Sequence, residues 1–126
     1  MSRFLAKLAI AFVAVASAVV TMSPSSAAPS TSRGLISVAQ VVQMLEKAPT
    51  DPTAQQVLTA YLAGVGEAAG AVASMGRATC RTSLNLSAAQ AGQALNSAAA
   101  GKDAAETPAT PLIVRDMLDR AGCKRP

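Results

Sequence analysis

The stretch YLAGVGEAAG, Tyr61 to Gly70, decides the fold. Gly64, Gly66 and Ala69 have the G-x-G-x-x-A spacing that opens many dinucleotide-binding folds. That motif needs a strand before its first glycine, a βαβ unit of about 30 residues and an acidic residue about 20 positions later. Here Val57, Leu58, Tyr61, Leu62, Val65, Val72 and Met75 recur at helical spacing through and beyond the glycines. The segment therefore reads as the middle of a long helix, and no nucleotide is expected on it.

The glycines then need another explanation, because each costs about 0.5 to 1 kcal/mol in a helix relative to alanine. Ala60, Gly64, Ala68 and Gly66, Gly70 lay small side chains on adjacent strips at i, i+4 spacing. Close approach of another backbone would compensate, either helix one or four of the same chain or a second copy across a dimer interface. On this reading Gly64→Leu disrupts helix packing or dimerisation.

Around this helix the chain reads as three more, each with start and stop signals. Ser37 and Gln40 form a capping box for helix one, Ile36 and Val41 are placed to make a hydrophobic staple, and Pro49 stops the run. Val38, Val41, Val42 and Leu45 share its apolar face. Asp51 caps the long helix, Pro52 opens it and Gly76 is its stop. Ser87 and Gln90 form a second capping box before Ala88 to Ala100, where Leu95 is the one large apolar side chain. After the polar loop Gly101 to Pro111, Thr110 caps and Pro111 opens helix four. Its Ile113, Val114, Met117, Leu118 and Ala121 face the core, and Gly122 ends it. The fold expected is all-α, a bundle of about four helices.

The N-terminus reads as a secretory leader. Arg3 and Lys7 precede Leu8 to Val20, thirteen residues with only Ser17 polar. That core falls short of the roughly 20 residues of a membrane span, and Ser25-Ser26-Ala27 is a small-residue cleavage site. The expected organisation is a signal peptide over 1–27, a flexible tail over 28–35 and one helical domain over 36–126. Cleavage removes Arg3 and Lys7, so 11 − 2 = 9 basic side chains face 7 acidic ones and the charge falls from +4 to +2. With one Tyr, no Trp, and Phe only in the leader, stacking platforms for bases are missing, so no nucleic-acid role is expected. Neither is any membrane role after cleavage.

In an exported chain two cysteines favour a disulfide. Cys80 lies just before helix three and Cys123 just after helix four, and a bridge between them closes a loop of about 43 residues, worth roughly 4 kcal/mol in the chain-entropy model. Catalytic constellations are missing. The absence of His removes the usual base of Ser and Cys hydrolases and the commonest zinc ligand. Asp116 and Arg120 read as a solvated i, i+4 pair and Glu67 as a polar-face residue. No enzyme activity, metal or cofactor is expected.

Tyr61 to Ala68, YLAGVGEA, resembles the Y-[IL]-x-G-[VI]-x-[DE]-A signature of the Tai/Rap family of type VI secretion immunity proteins. The resemblance continues through Cys80 and LNLSAAQ and ends at TPATPLIVRDMLDRAGC, covering Val38 to Cys123. It assigns Tyr61, Leu62, Gly64, Val65, Glu67 and Ala68 to the family motif. It implies a small periplasmic all-helical protein, generally dimeric, that binds and blocks a peptidoglycan-cleaving amidase effector. The chain departs from the family where members carry a further cysteine pair. Met44-Leu45 and Leu58-Thr59-Ala60 stand there instead, and Thr82 replaces a common proline.

The leading expectation is thus a periplasmic inhibitor acting by occlusion. Candidate contacts are Arg77 and Arg81 in the stretch Arg77 to Asn85, and Lys102, Asp103 and Glu106 in the loop Lys102 to Thr107, since contacts concentrate on loops held by a rigid scaffold. The alternatives are a small periplasmic stress chaperone and a non-catalytic cell-envelope protein.

Overall fold

Residues 27–126 are described by the computed structural model, so the expected leader lies outside the described residues except for Ala27. Four helices follow one another, α1 (Val38–Lys47), α2 (Pro52–Met75), α3 (Ala88–Ala99) and α4 (Ala109–Arg120). Among the described residues β structure is limited to two single antiparallel backbone pairs, Ser37 with Pro108 and Thr79 with Lys124. The all-α architecture matches the sequence reading.

α1 starts at its capping box. Ser37 Oγ accepts from Gln40 N–H at 3.1 Å and Gln40 Oε1 accepts from Ser37 N–H at 3.0 Å. Two further first-turn donors are satisfied by the loop before α4, Val38 N–H by the Thr107 carbonyl at 2.9 Å and Ala39 N–H by that of Ala104 at 3.0 Å. Ile36, 40 % exposed, points to the surface while Val41 is fully buried.

Asp51 caps α2 through Thr53 and Ala54 N–H, with Pro52 in the first turn. At its other end Ala78 N–H donates to the Ala73 carbonyl and Arg77 N–H to that of Ser74, a Schellman turn. The left-handed residue of that turn is Arg77, φ 51°, while Gly76 is right-handed at φ −78°. α4 ends in the same way, with Cys123 N–H on Leu118 and Gly122 N–H on Asp119, and there a glycine holds the left-handed position at φ 63°. The start of α4 differs from expectation. It begins at Ala109, whose N–H donates to the Ile36 carbonyl at 3.0 Å, and Pro108 is its cap residue. Because that carbonyl serves as the cap, Thr110 is released from capping and its hydroxyl meets Tyr61 Oη at 3.0 Å.

α2 packs on α1 and α4, and α3 packs on the same two helices from the other side, so α2 and α3 lie across the bundle from each other. Val38, Val41, Val65, Ala69, Ala91, Leu95, Ile113 and Met117 meet in the core, each at most 3 % exposed. Leu95 supplies the bulk that the Ala-rich α3 otherwise lacks. α2 is less central than its apolar sequence suggests. Its buried strip is Leu58, Val65, Ala69 and Ala73, whereas Val57, Val72 and Met75 are 51, 43 and 86 % exposed. At 3.6 residues per turn Val57 and Met75 lie roughly a quarter turn off that strip. With 24 residues α2 also outruns the 10 and 12 of the helices that cover it.

Hydrogen bonds tie the segment 28–35 to α1 and its entry. Ala28 N–H donates to Gln43 Oε1 at 2.7 Å and Ser37 Oγ donates to the Pro29 carbonyl at 2.8 Å. Thr31 is buried, its N–H donating to the Leu35 carbonyl and its carbonyl accepting from Gly34, which supplies the positive φ of 74°. Small polar residues have nothing apolar to bury, but they carry the backbone partners that α1's entry needs.

Candidate functional site

Cys80 and Cys123 form the expected disulfide, joining the segment before α3 to the end of α4. The Schellman turns of α2 and α4 deliver the two cysteines side by side, and Thr79 and Lys124 pair beside them through two N–H···O bonds of 2.9 Å. Arg81 also belongs to this end. Its N–H donates to the Ala121 carbonyl, and its side chain lies over Gly122, where an added Cβ would come within 3.1 Å of Arg81 Cδ. Arg77 is exposed on the same end.

Lys102, Asp103 and Glu106 are exposed at the opposite end of α4. Spanning 12 residues, α4 separates the two groups by about 18 Å of helix rise. The candidate contacts therefore form two clusters. Asp103 anchors its own loop, its carbonyl accepting from Glu106 N–H, Thr107 N–H and Thr107 Oγ1. Glu106 reaches the N-terminal turn, its Oε2 accepting from Ser32 N–H at 3.0 Å. Hydrogen bonding from Ser32, backbone first and hydroxyl second, holds its carboxyl below the usual range.

The motif residues of α2 divide between core and surface. Val65 is buried, and Tyr61 and Leu62 pack partly buried against the core. Burial pushes the Tyr61 phenol above its ordinary pKa, and the bond with Thr110 offsets part of that. Gly64 and Glu67 are exposed. Among the described residues nothing lies within 4 Å of a Cβ built on Gly64, Gly66 or Gly70. None of the other described helices approaches there, so the close packing expected of helix one or four on these glycines is not seen among the described residues. Asp116 and Arg120 are more than a solvated pair. They meet at 2.7 Å, each side chain 32 % exposed, and Arg120 also donates to the Asn85 carbonyl, tying α4 to the connector before α3.

The sequence reading missed a groove of about 1030 Å³ between α2, α4 and the turn before α1, on which Val114 and Leu118, expected to face the core, are only partly buried. Ala68, Val72, Val114 and Leu118 come from the helices and Leu35 and Ile36 from the turn. Arg33, Arg115 and Arg125 also line it, with Asp119 as its carboxylate. The available signal was Leu35-Ile36, two large apolar residues directly ahead of the Ser37 cap in a segment otherwise small and polar. A second cleft, about 610 Å³ and uncharged, lies between α2, the end of α1 and the connector before α3, among Leu45, Pro49, Leu58, Leu62, Leu84 and Leu86. No group of three or more His, Cys, Asp or Glu placed to hold a metal occurs among the described residues. Compared with models of known families, with curated proteins and with solved structures, the chain matches none of them.

Proposed function

We propose that this protein is an exported, non-catalytic, immunity-like inhibitor that binds and occludes a peptidoglycan amidase effector of a type VI secretion system in the periplasm. The observation that carries the reading is the disulfide-closed four-helix fold. It is built from the segments in which the sequence resembles the Tai/Rap family, and a disulfide is compatible with an oxidising compartment. Membership of that family is part of the proposal. Two exposed, charged clusters, Arg77 with Arg81 and Lys102 with Asp103, stand on backbone fixed by hydrogen bonds, as occlusion of a cleft requires.

The test is co-purification with the amidases encoded by the same organism and its neighbours, with protection of cells that export the enzyme. Capture of one amidase at fixed stoichiometry supports the reading. Failure against all of them refutes it. Charge reversal at Arg81 and at Lys102 then assigns the contact to one end of α4.

A stress chaperone is the second reading, favoured by the exposed Val57, Val72 and Met75. It predicts that the protein suppresses aggregation of unrelated clients, which a dedicated inhibitor does not.

A further inference from the structure

Leu35 and Ile36 are neighbouring large apolar side chains, 46 and 40 % exposed, and their exposure is built into the fold. Thr31 N–H bonds the Leu35 carbonyl at 2.9 Å, Thr31 Oγ1 accepts from Leu35 N–H at 3.1 Å, and Glu106 anchors Ser32. A turn fixed this firmly holds both side chains at the lip of the groove described above, where Val72, Val114 and Leu118 continue the apolar surface. Around it stand three guanidinium groups and one carboxylate. Arg115 lies 4.0 Å from Asp119, a pair 84 and 76 % exposed and so only weakly held in water. Arg33 and Arg125 form no ion pair among the described residues.

Charge and size together select the occupant. An apolar surface under an excess of guanidinium groups suits a molecule with an apolar body and an anionic end. The chain's own residues 1–26 have the wrong charge, with Arg3 and Lys7 and no carboxylate. Along α4 the groove runs from Thr110 to Asp119, about 13 Å of helix. A patch of roughly 800 Å² per partner, the standard protein interface, is about 28 Å across, so the groove spans only about half of that. The volume of about 1030 Å³ falls at the upper end of small-molecule sites, which hold mostly apolar walls and a few placed charges. The geometry points to a binding site for a single-chain anionic amphiphile of the fatty-acid carboxylate class. Its tail lies along Leu35, Val72 and Leu118, and its carboxylate meets Arg33 and Arg115.

This inference is independent of the immunity reading, since it needs no amidase. Sodium dodecanoate, kept below its micelle concentration, is titrated into the protein expressed from the full chain and followed calorimetrically. The cationic dodecyltrimethylammonium serves as the charge control and phosphatidylglycerol vesicles as the bilayer control. One dodecanoate site is expected, with the cation at least about tenfold weaker. Reversing two exposed charges in Arg33→Glu/Arg115→Glu lowers dodecanoate affinity about tenfold. Val72→Asp or Leu35→Asp, both at exposed positions, abolishes binding while the thermal melt stays in place, and Leu35→Asp serves if Val72→Asp does not fold. Equal affinity for the cation, undiminished binding by the arginine variant, or recruitment to vesicles without monomer binding would overturn the assignment. So would a stable dimer in sedimentation that closes the groove against a second copy.

Discussion

Breaking the Cys80–Cys123 bridge is the most informative perturbation of the fold. The bridge joins residues 43 apart and closes a loop that contains all of α3 and α4. Constraining a loop of that size in the unfolded chain is worth about 4 kcal/mol at 25 °C in the chain-entropy model. For a domain of roughly 100 residues the entropy of unfolding near Tm is about 0.2 kcal/mol/K, so the expected fall in Tm is about 20 °C. Against a total stability of 5 to 15 kcal/mol this is the largest single contribution expected in the molecule. The assay is urea unfolding of the oxidised protein, the reduced protein and Cys80→Ser/Cys123→Ser. Reduced and substituted forms should agree, and both should show a larger m because the freed chain exposes more surface on unfolding. A loss below about 1 kcal/mol, with m unchanged, would refute the reasoning. It would mean that the unfolded chain without the bridge keeps its ends close through residual structure.

Leu95→Ala should cost about 3 kcal/mol, because Leu95 is fully buried and α3 has no other large apolar side chain, whereas the exposed Leu35→Ala should stay within about 0.5 kcal/mol in the same denaturation series. Arg77→Gly should raise stability by about 1 kcal/mol, since Arg77 occupies a left-handed position at φ 51° that glycine adopts without strain; a lower Tm would show that its side chain contributes more than its backbone costs. Gly64→Ala should stabilise by about 0.5 to 1 kcal/mol, because an added Cβ meets nothing among the described residues. Destabilisation that grows with protein concentration would place a second copy against α2. Tyr61→Phe should cost about 1 kcal/mol through the lost bond to Thr110. Because the folded phenol titrates above the unfolded one, its contribution is complete below about pH 10 and is lost as pH rises through the folded value, so the variant should flatten that alkaline fall. Tyr61 is the chain's single tyrosine, so its absorbance titration reads the shift directly.

Much of the helical framework was legible because its signals are local. Ser37 with Gln40, Asp51 with Pro52, and Ser87 with Gln90 satisfy helix donors from within three residues, so their chemistry needs no tertiary partner. The start of α4 was misread for the opposite reason. The carbonyl that caps it belongs to Ile36, more than seventy residues away in sequence, and Thr110 looked like a cap until that carbonyl displaced it. The same distance hid the groove, whose apolar lip is in the turn before α1 and whose walls are in α2 and α4.

By itself the sequence determined which segments are helical, that Tyr61 to Gly70 is helix and not a nucleotide turn, and that two cysteines were available to pair. Periodicity, capping and cysteine number are properties of neighbours along the chain. Only the tertiary structure decided which side of α2 is covered, that no described residue lies over Gly64, that 28–35 hydrogen-bonds to α1, and that an apolar groove with three arginines is left over. Those outcomes depend on which helices cover α2 and how far they reach along it, and a 24-residue helix against neighbours of 10 and 12 cannot bury all of its apolar surface.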